Sequence, residues 1–438
     1  MTLVKNLDRL KAAMTQKAGF WRNIAETYAT RVVLLVLALV ITILVSRYLG
    51  PTGRGFFAVA TAVAAIGVQF GNLGLHASNT YYVSKDRKLL AALMGNTLAI
   101  SFGLGGLGAL LAGAIFWKLP QTAPLHGSLL VLALLWVPFG LAYMLLQNLL
   151  LGIQEIRSYN IIELVIKLLT LAILGVLIWK RWASAQSMFV ATLVALLVGV
   201  ASVWVRLQRF LDAPLSVSIA TFKQTIGIGL KAYQIAFFGY LVLRIDLLMV
   251  QYILGAKEAG YYSISETMAE NMLLLPVVVG MILFPKLSSM SSVQQRLTLA
   301  KKAVWATAIL LLPVVVLAAL LARPMLRLVF GSAFLPAVPA FIWLMPGSFF
   351  LGVETVLVQF LNSLGFPKAI IGAWLVVVTL NIAANLWAIP AYGIVGASVV
   401  STICYFAIFV FIAGIVWNTV RSESLLRIDQ GQLGQVIG

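Results

Sequence analysis

Long apolar blocks constrain this chain more than any motif in it. They recur along all 438 residues, as in "TRVVLLVLALVITILV" at 30–45. About 20 helical residues at ~1.5 Å each cross ~30 Å of hydrocarbon. Lipid offers no partner to a bare backbone group, so each block must be a helix. Twelve spans are expected, near 26–47, 55–78, 91–117, 128–151, 159–179, 187–206, 226–251, 260–284, 300–322, 337–362, 369–389 and 394–417. The eighth is unusual, because "SISETMAEN" carries Glu266 and Glu270 to membrane depth, where they must face protein or water. The fold class expected is an all-α polytopic membrane protein.

Only 10% of the residues are charged and 62% are hydrophobic, far from the roughly one quarter charged of a soluble domain. A net charge of +18 would suggest nucleic acid in a soluble protein. Here most bases lie in loops and tails, so the charge reads as topology and affinity for anionic lipid, with no nucleic-acid partner. Lys and Arg concentrate in the segments on the N-terminal side, which places both termini in the cytoplasm; Arg47 and Arg54 stand against that bias. One cysteine, Cys404, and two distant histidines, His76 and His126, exclude an internal disulfide and a Cys/His metal site. No cofactor is expected. Residues 1–24 are basic and lack a cleavage site after a short apolar core, so the first span is expected to be retained. Leu3, Leu7, Leu10 and Met14 share one helical face there, which suits a helix lying on the inner leaflet; the plainer alternative is a solvated basic tail.

The chain repeats itself. "VSRYLGPTGRGFFAV" at 45–59 and "VQYILGAKEAGYYSI" at 250–264 align at a shift of 205 residues, so that Gly50 meets Gly255, Gly55 meets Gly260, and Phe56–Phe57 meet Tyr261–Tyr262. "WVPFG" at 136–140 and "WLMPG" at 343–347 form a second correspondence. Six spans separate the copies, so both halves enter the membrane in the same sense. The expected arrangement is two six-helix lobes related by a pseudo-twofold along the membrane normal. The segments expected are the basic region 1–24, an N-lobe at 25–212, a C-lobe at 213–420 and a cytoplasmic tail at 421–438. Such a layout suits a transporter working by alternating access. Gly50 can take a positive φ and Pro51 stops a helix, so the repeated segment is expected to be a tight turn. Tyr48, Phe56 and Phe57 are expected at interface depth.

"SRYLGPTGRGFFAVA" at 46–60 resembles the oligosaccharide flippases of the polysaccharide transporter branch of the MATE/MOP superfamily. "LVLRIDLLMVQYILGAKEAGYYSISE" at 241–266 and "LNSLGFPKAIIGAWLVVVTLNIAANLWAIPAYGIVGASVVS" at 361–401 extend the resemblance over nearly the whole chain. It implies a two-lobed protein of the bacterial cytoplasmic membrane. Its implied substrate is a polyprenyl-diphosphate-linked oligosaccharide moved from the inner to the outer leaflet for O-antigen, capsule or exopolysaccharide assembly. Membrane lipids, a polysaccharide polymerase and other assembly proteins are the implied partners.

That task needs cations for the diphosphate, and a guanidinium fork matches phosphate geometry. Four bases lie within spans: Arg31, Lys167, Lys231 and Arg244. Each costs about 2.5–3.5 kcal/mol at mid-helix on insertion scales, so each needs a reason. Arg31 could hold phosphate or snorkel to the surface. Arg244 favours a cavity role over a bridge to another helix. Lys167 follows Glu163 by four residues, so self-neutralisation weighs as much as substrate contact. Lys231 is the repeat equivalent of Glu26 and suits a bridge between the lobes. Asp246, Glu266 and Glu270 are candidates for ion coupling or cavity acids, or else counter-ions to the arginines. Glu354 lies on a further polar face of span ten. Gln147, Asn148, Gln359, Asn381 and Asn385 could contact sugar hydroxyls, although bonding helices together is the commoner role.

"GLGGLG" at 103–108 fits a dinucleotide-binding pattern but lies inside a span with no strand before it, so it reads as small-residue helix packing, like Gly67 and Gly71. Two alternatives to the flippase stand: an ion-coupled small-molecule exporter of the MATE type, and a membrane glycosyl polymerase or transferase. An exporter of cationic drugs needs an acidic cavity, against which the in-span bases argue. A polymerase or transferase needs a sizeable outer loop, and the outer loops here are short. The expectation is a transporter and not an enzyme.

Overall fold

The computed structural model describes the backbone of residues 2–436 and the side chains of 30–227, 229–230 and 233–422. The amphipathic face of residues 1–24, the Glu26 and Lys231 side chains and nearly all of the tail at 421–438 lie outside the described residues. Among the described residues there is no strand. The helices are α1 (Thr30–Asn72), α2 (Leu75–Lys85), α3 (Arg87–Lys118), α4 (Ser128–Gly152), α5 (Ile156–Trp179), α6 (Ala185–Gln208) and α7 (Ile219–Val242). They continue as α8 (Ile245–Leu254), α9 (Ala256–Asn271), α10 (Leu274–Ser288), α11 (Val293–Leu320), α12 (Ala322–Phe330), α13 (Val338–Asn362) and α14 (Lys368–Ser422).

Nine helical stretches among the described residues are long and apolar enough to cross a membrane, and a bent pair, α9 with α10, makes a tenth. Two of the nine are double. At ~1.5 Å per residue, the 43 residues of α1 and the 55 of α14 each exceed one bilayer crossing by a wide margin. Each breaks at a glycine: Gly50 has φ 63°, ψ −177°, and Gly393 has φ 64°, ψ −147°. Counting each as two crossings gives the twelve expected from hydropathy. The eighth expected span is the bent pair, with an angle of 41° between α9 and α10.

Gly255 has φ 87° and ψ 179°, nearly the backbone of Gly50. The two copies of the repeat therefore make the same turn. A residue with a Cβ is almost excluded from this region, and strain there costs about 1–3 kcal/mol. Gly50→Ala is expected to lower stability by about that amount, seen as a lower unfolding temperature in detergent. An unchanged temperature would show that the turn does not need glycine.

By internal contacts the chain forms two compact units. One is Met1–Leu49 with Val63–Leu230; the other is Gly50–Ala62 with Lys231–Gly438. This differs from the lobe limits of 25–212 and 213–420 drawn from the repeat: the short piece Gly50–Ala62 packs with the second unit, and the chain up to Leu230 with the first. In the first unit, Leu141, Leu145, Leu146, Leu149 and Leu150 of α4 are fully buried. Gly67 and Gly71 let α1 lie against Val137 and Leu141 of α4. Of the "GLGGLG" stretch only Gly105 is packed, against Leu141; Gly103, Gly106 and Gly108 have open space where a Cβ would go. The small-residue packing expected there is thus confined to one glycine, and the stretch begins in a π-helical turn, Ala99–Gly105.

In the second unit, α13 is the central helix, with Phe341, Val356, Phe360 and Leu361 fully buried. It packs against α11 and α14, whose Val377, Ile408 and Ile412 are buried in the same core. On both units leucine, isoleucine and tryptophan side chains are exposed, including Leu110, Leu111, Trp305 and Ile309. Water would penalise such a surface; lipid accepts it. Of the expected aromatic belt, Tyr48 and Phe56 are exposed, but Phe57 is 8% exposed and belongs to the core.

Candidate functional site

Two polar constellations lie within the apolar helices, one in each unit. In the first unit, Tyr159, Glu163 and Lys167 recur at four-residue spacing on α5 and so share a face. Arg31 of α1 reaches them: its Nη1 donates to Glu163 Oε1 at 3.3 Å and its Nη2 to the Tyr159 hydroxyl at 3.2 Å. The guanidinium carbon lies 5.6 Å from the Tyr159 ring centroid. Tyr143 of α4 is within electrostatic reach of Arg31, Tyr159 and Glu163, and its buried hydroxyl has no partner. Gln147, one turn further along α4, is buried with Nε2 unpartnered, and Asn148 donates to the Met144 carbonyl at 2.8 Å.

The sequence weighed a Glu163–Lys167 pair within α5. The structure instead gives Glu163 to Arg31, and no ion pair within 4.0 Å holds Lys167 among the described residues. Arg31 wins because a guanidinium offers several donors and can bond the carboxylate and the Tyr159 hydroxyl together. Lys167 is left half-buried beside a carboxylate already engaged, so its ammonium is the less committed cation of the two.

In the second unit the helix breaks after Val242, and Arg244 caps the restart as α8. Asp246 then sits in the first turn of α8, where the N-terminal dipole favours negative charge. It is 1% exposed. Asn385 donates to its Oδ1 at 2.8 Å, the Tyr262 hydroxyl to its Oδ2 at 3.1 Å, and the Ser401 hydroxyl also to Oδ2. Asn381 and Asn385 are fully buried, and Asn385 Nδ2 also donates to Asn381 Oδ1 at 3.3 Å. In this conformation neither meets open space: Asn385 serves the Asp246 carboxylate and Asn381 serves Asn385. Asn385 Oδ1 and Asn381 Nδ2 are buried without a partner. Donors from Asn385, Ser401 and Tyr262, on both arms of α14 and on α9, thus converge on the Asp246 carboxylate of α8. No group of three or more His, Cys, Asp or Glu residues able to hold a metal occurs among the described residues. One carboxylate among neutral oxygens suits a proton or a monovalent cation better than a divalent one.

Beside this array, Arg244 faces α9. Its Nη2 donates to Glu270 Oε2 at 2.9 Å, its Nη1 lies 2.8 Å from Glu270 Oε1, and Glu266 Oε2 is 3.6 Å away. The sequence favoured a cavity role for Arg244; the structure places it in an ion-paired bridge to α9. Glu266 and Glu270 lie one turn apart and line a narrow cleft with Tyr262, Ser348 and Tyr405. Gln359 donates to the Thr355 carbonyl at 3.1 Å and accepts from Asn362 at 3.2 Å, so its amide serves α13 itself. Glu354 is buried, and its Oε1 has no partner.

Arg54 was missed as a site residue, having been read only as an exception to the charge bias. It is 7% exposed, its Nε donates to Ser263 Oγ at 3.2 Å and its Nη2 to Thr267 Oγ1 at 3.5 Å. The available signal was that exception itself, together with hydroxyls at i and i+4 on the facing helix.

A family model described as polysaccharide biosynthesis protein matches residues 44–339, more than half of the chain. An uncharacterized membrane protein of Methanocaldococcus jannaschii is 25% identical over 182 residues, covering 40% of this chain. The chain accounts for 36% of the length of that relative. Among solved structures, the fold is similar to an inward-facing multidrug resistance MATE transporter of the MOP superfamily, with TM-score 0.71 and 15% identity over 90% of this chain and 96% of that one. It is also similar to the lipid II flippase MurJ in an inward closed conformation, with TM-score 0.70 and 14% identity over 89% of this chain and 87% of that one. A MOP superfamily transporter from Pyrococcus furiosus aligns with TM-score 0.55 and 13% identity over 91% and 93% of the two chains. At these identities the structural likeness establishes the fold, and the family match establishes the lineage: the chain is a multi-pass membrane protein of the polysaccharide biosynthesis protein family, built on the MATE/MOP transporter fold.

Proposed function

We propose that this protein is a flippase that moves a polyprenyl-diphosphate-linked oligosaccharide from the inner to the outer leaflet of the bacterial cytoplasmic membrane. It works by alternating access, with both termini in the cytoplasm, and serves O-antigen, capsule or exopolysaccharide assembly. The observation that carries this proposal is the family match over residues 44–339. A polysaccharide-biosynthesis protein with a transporter fold is fitted to move a lipid-linked intermediate, and less fitted to polymerise one.

The two constellations divide the work. Lys167 and Arg31 are the proposed diphosphate contacts, because Lys167 has no ion pair among the described residues and Arg31 has one carboxylate that phosphate can replace. Asp246, with Asn381, Asn385, Ser401 and Tyr262, is the proposed site of a coupling proton or monovalent cation. Arg244, Glu266 and Glu270 supply the charge balance beside it.

Equilibrium binding to the purified protein tests this. A polyprenyl-diphosphate oligosaccharide is expected to bind, and Lys167→Ala to weaken it about 10-fold or more, the ~1.5–3 kcal/mol of a charged hydrogen bond. Failure to bind that lipid, with binding of a lipophilic organic cation instead, would move the protein to an ion-coupled exporter.

A further inference from the structure

The repeat-equivalent glycines Gly55 and Gly260 lie against each other. A Cβ on Gly55 would sit 1.7 Å from the Ala256 carbonyl oxygen and 2.9 Å from the Gly260 nitrogen. A Cβ on Gly260 would sit 1.9 Å from the Pro51 carbonyl oxygen and 3.2 Å from the Gly55 nitrogen. The contact is reciprocal, since Ala256 is the repeat equivalent of Pro51. Two backbones touch here with no side chain between them, a geometry that any residue larger than glycine forbids.

Helix α9 carries this crossing and the charged cluster on one short rod. Gly260 forms the crossing, Ser263 and Thr267 hold Arg54, and Glu266 and Glu270 hold Arg244. Arg54 has no carboxylate within 4.0 Å among the described residues. Two neutral hydroxyls, the Phe57 ring with its centroid 5.9 Å away, and the field of Glu266, the residue next to Thr267, keep its charge in place. A buried guanidinium is costly without compensation. If Glu266 loses its charge, Arg54 and Arg244 face each other with less negative charge between them. Arg54 then gains by leaving for water, and the crossing loses its pin.

We propose that Arg54 is a coupling residue: it pins the Gly55–Gly260 crossing shut while Glu266 is ionised and releases it when Glu266 is protonated or occupied by a cation. The groups facing Glu266 are Arg54 beside the Gly50 turn, Tyr240 of α7, Arg244 and Asp246 around the start of α8, Tyr262 and Glu270 of α9, and Tyr405 of α14. Of these only the two arginines are cations. Loss of the Glu266 charge leaves Arg244 with Glu270 and leaves Arg54 without a matching anion. This mechanism rests on the transport reading above, to which it adds the link between ion and motion.

Thiol accessibility tests it without substrate, so a negative result leaves the flippase proposal intact. In a Cys404→Ala background, Ala259→Cys places a thiol beside Gly260, at a position now fully buried. Its labelling rate by a water-soluble maleimide is measured in proteoliposomes. Glu266→Gln and Arg54→Ala are each expected to raise the rate about 5- to 150-fold, the range of an ordinary coupling energy. The double variant should label no faster than the faster single. Arg54→Lys, which keeps the charge, should stay closer to the parent. An unchanged rate in Glu266→Gln overturns the proposal, whether or not Arg54→Ala folds or labels faster.

Discussion

Arg244→Ala is expected to destabilise the second unit by about 3 kcal/mol, the lower end of the range for breaking a buried ion pair. The lower end applies because the Arg244 side chain is 26% exposed, while Glu266 at 8% is the more deeply placed partner. The damage comes from the acids left behind: Glu266 and Glu270 stand one turn apart around a cleft lined by Leu243, Leu273, Leu344 and Leu351. Adding Glu266→Gln and Glu270→Gln to Arg244→Ala should therefore recover much of the loss. Unfolding temperatures in detergent for the single and triple variants check this. A triple variant no more stable than the single would show that Arg244 acts through packing and not through charge.

Asp246→Asn is expected to keep the fold and remove the dependence of transport on an ion gradient. The carboxylate now accepts from Asn385, Tyr262 and Ser401. An amide puts an NH₂ where one oxygen accepted, so at least one of these donors is left facing a donor, at a cost of about 1–3 kcal/mol. It also removes the only negative charge in the array. Transport rates in proteoliposomes, with and without proton and sodium gradients, separate the two effects. If the substituted protein still responds to a gradient, Asp246 is structural and the coupling ion binds elsewhere, with Glu266, which lines the cleft beside Arg244, the next residue to test.

The membrane architecture was legible because it is written in spacing. Apolar blocks of bilayer length fixed the spans, and a glycine at the same repeat position fixed the turn that Gly50 and Gly255 both make. Side-chain neighbours were legible only where one helix supplied both. Glu266 with Glu270 and Asn381 with Asn385 do share faces, as their four-residue spacing requires. Their targets were not legible. Asp246 lies 139 residues before Asn385, and Arg31 lies 132 residues before Glu163. No local periodicity connects such pairs. The same limit explains Lys167: spacing along α5 offered Glu163 to it, and a guanidinium from another helix took the carboxylate. Arg54 failed to stand out because a rule about average charge placement treated it as an exception, when its burial made it a participant.

Flipping itself is read by following a lipid-linked oligosaccharide across the bilayer. Proteoliposomes would carry a polyprenyl-diphosphate oligosaccharide in both leaflets, and a sugar-modifying probe would be added outside only. Protein-dependent exposure of the inner-leaflet pool is expected, slowed in Lys167→Ala. Exposure no faster than in protein-free liposomes, from protein that is folded and reconstituted, would contradict it.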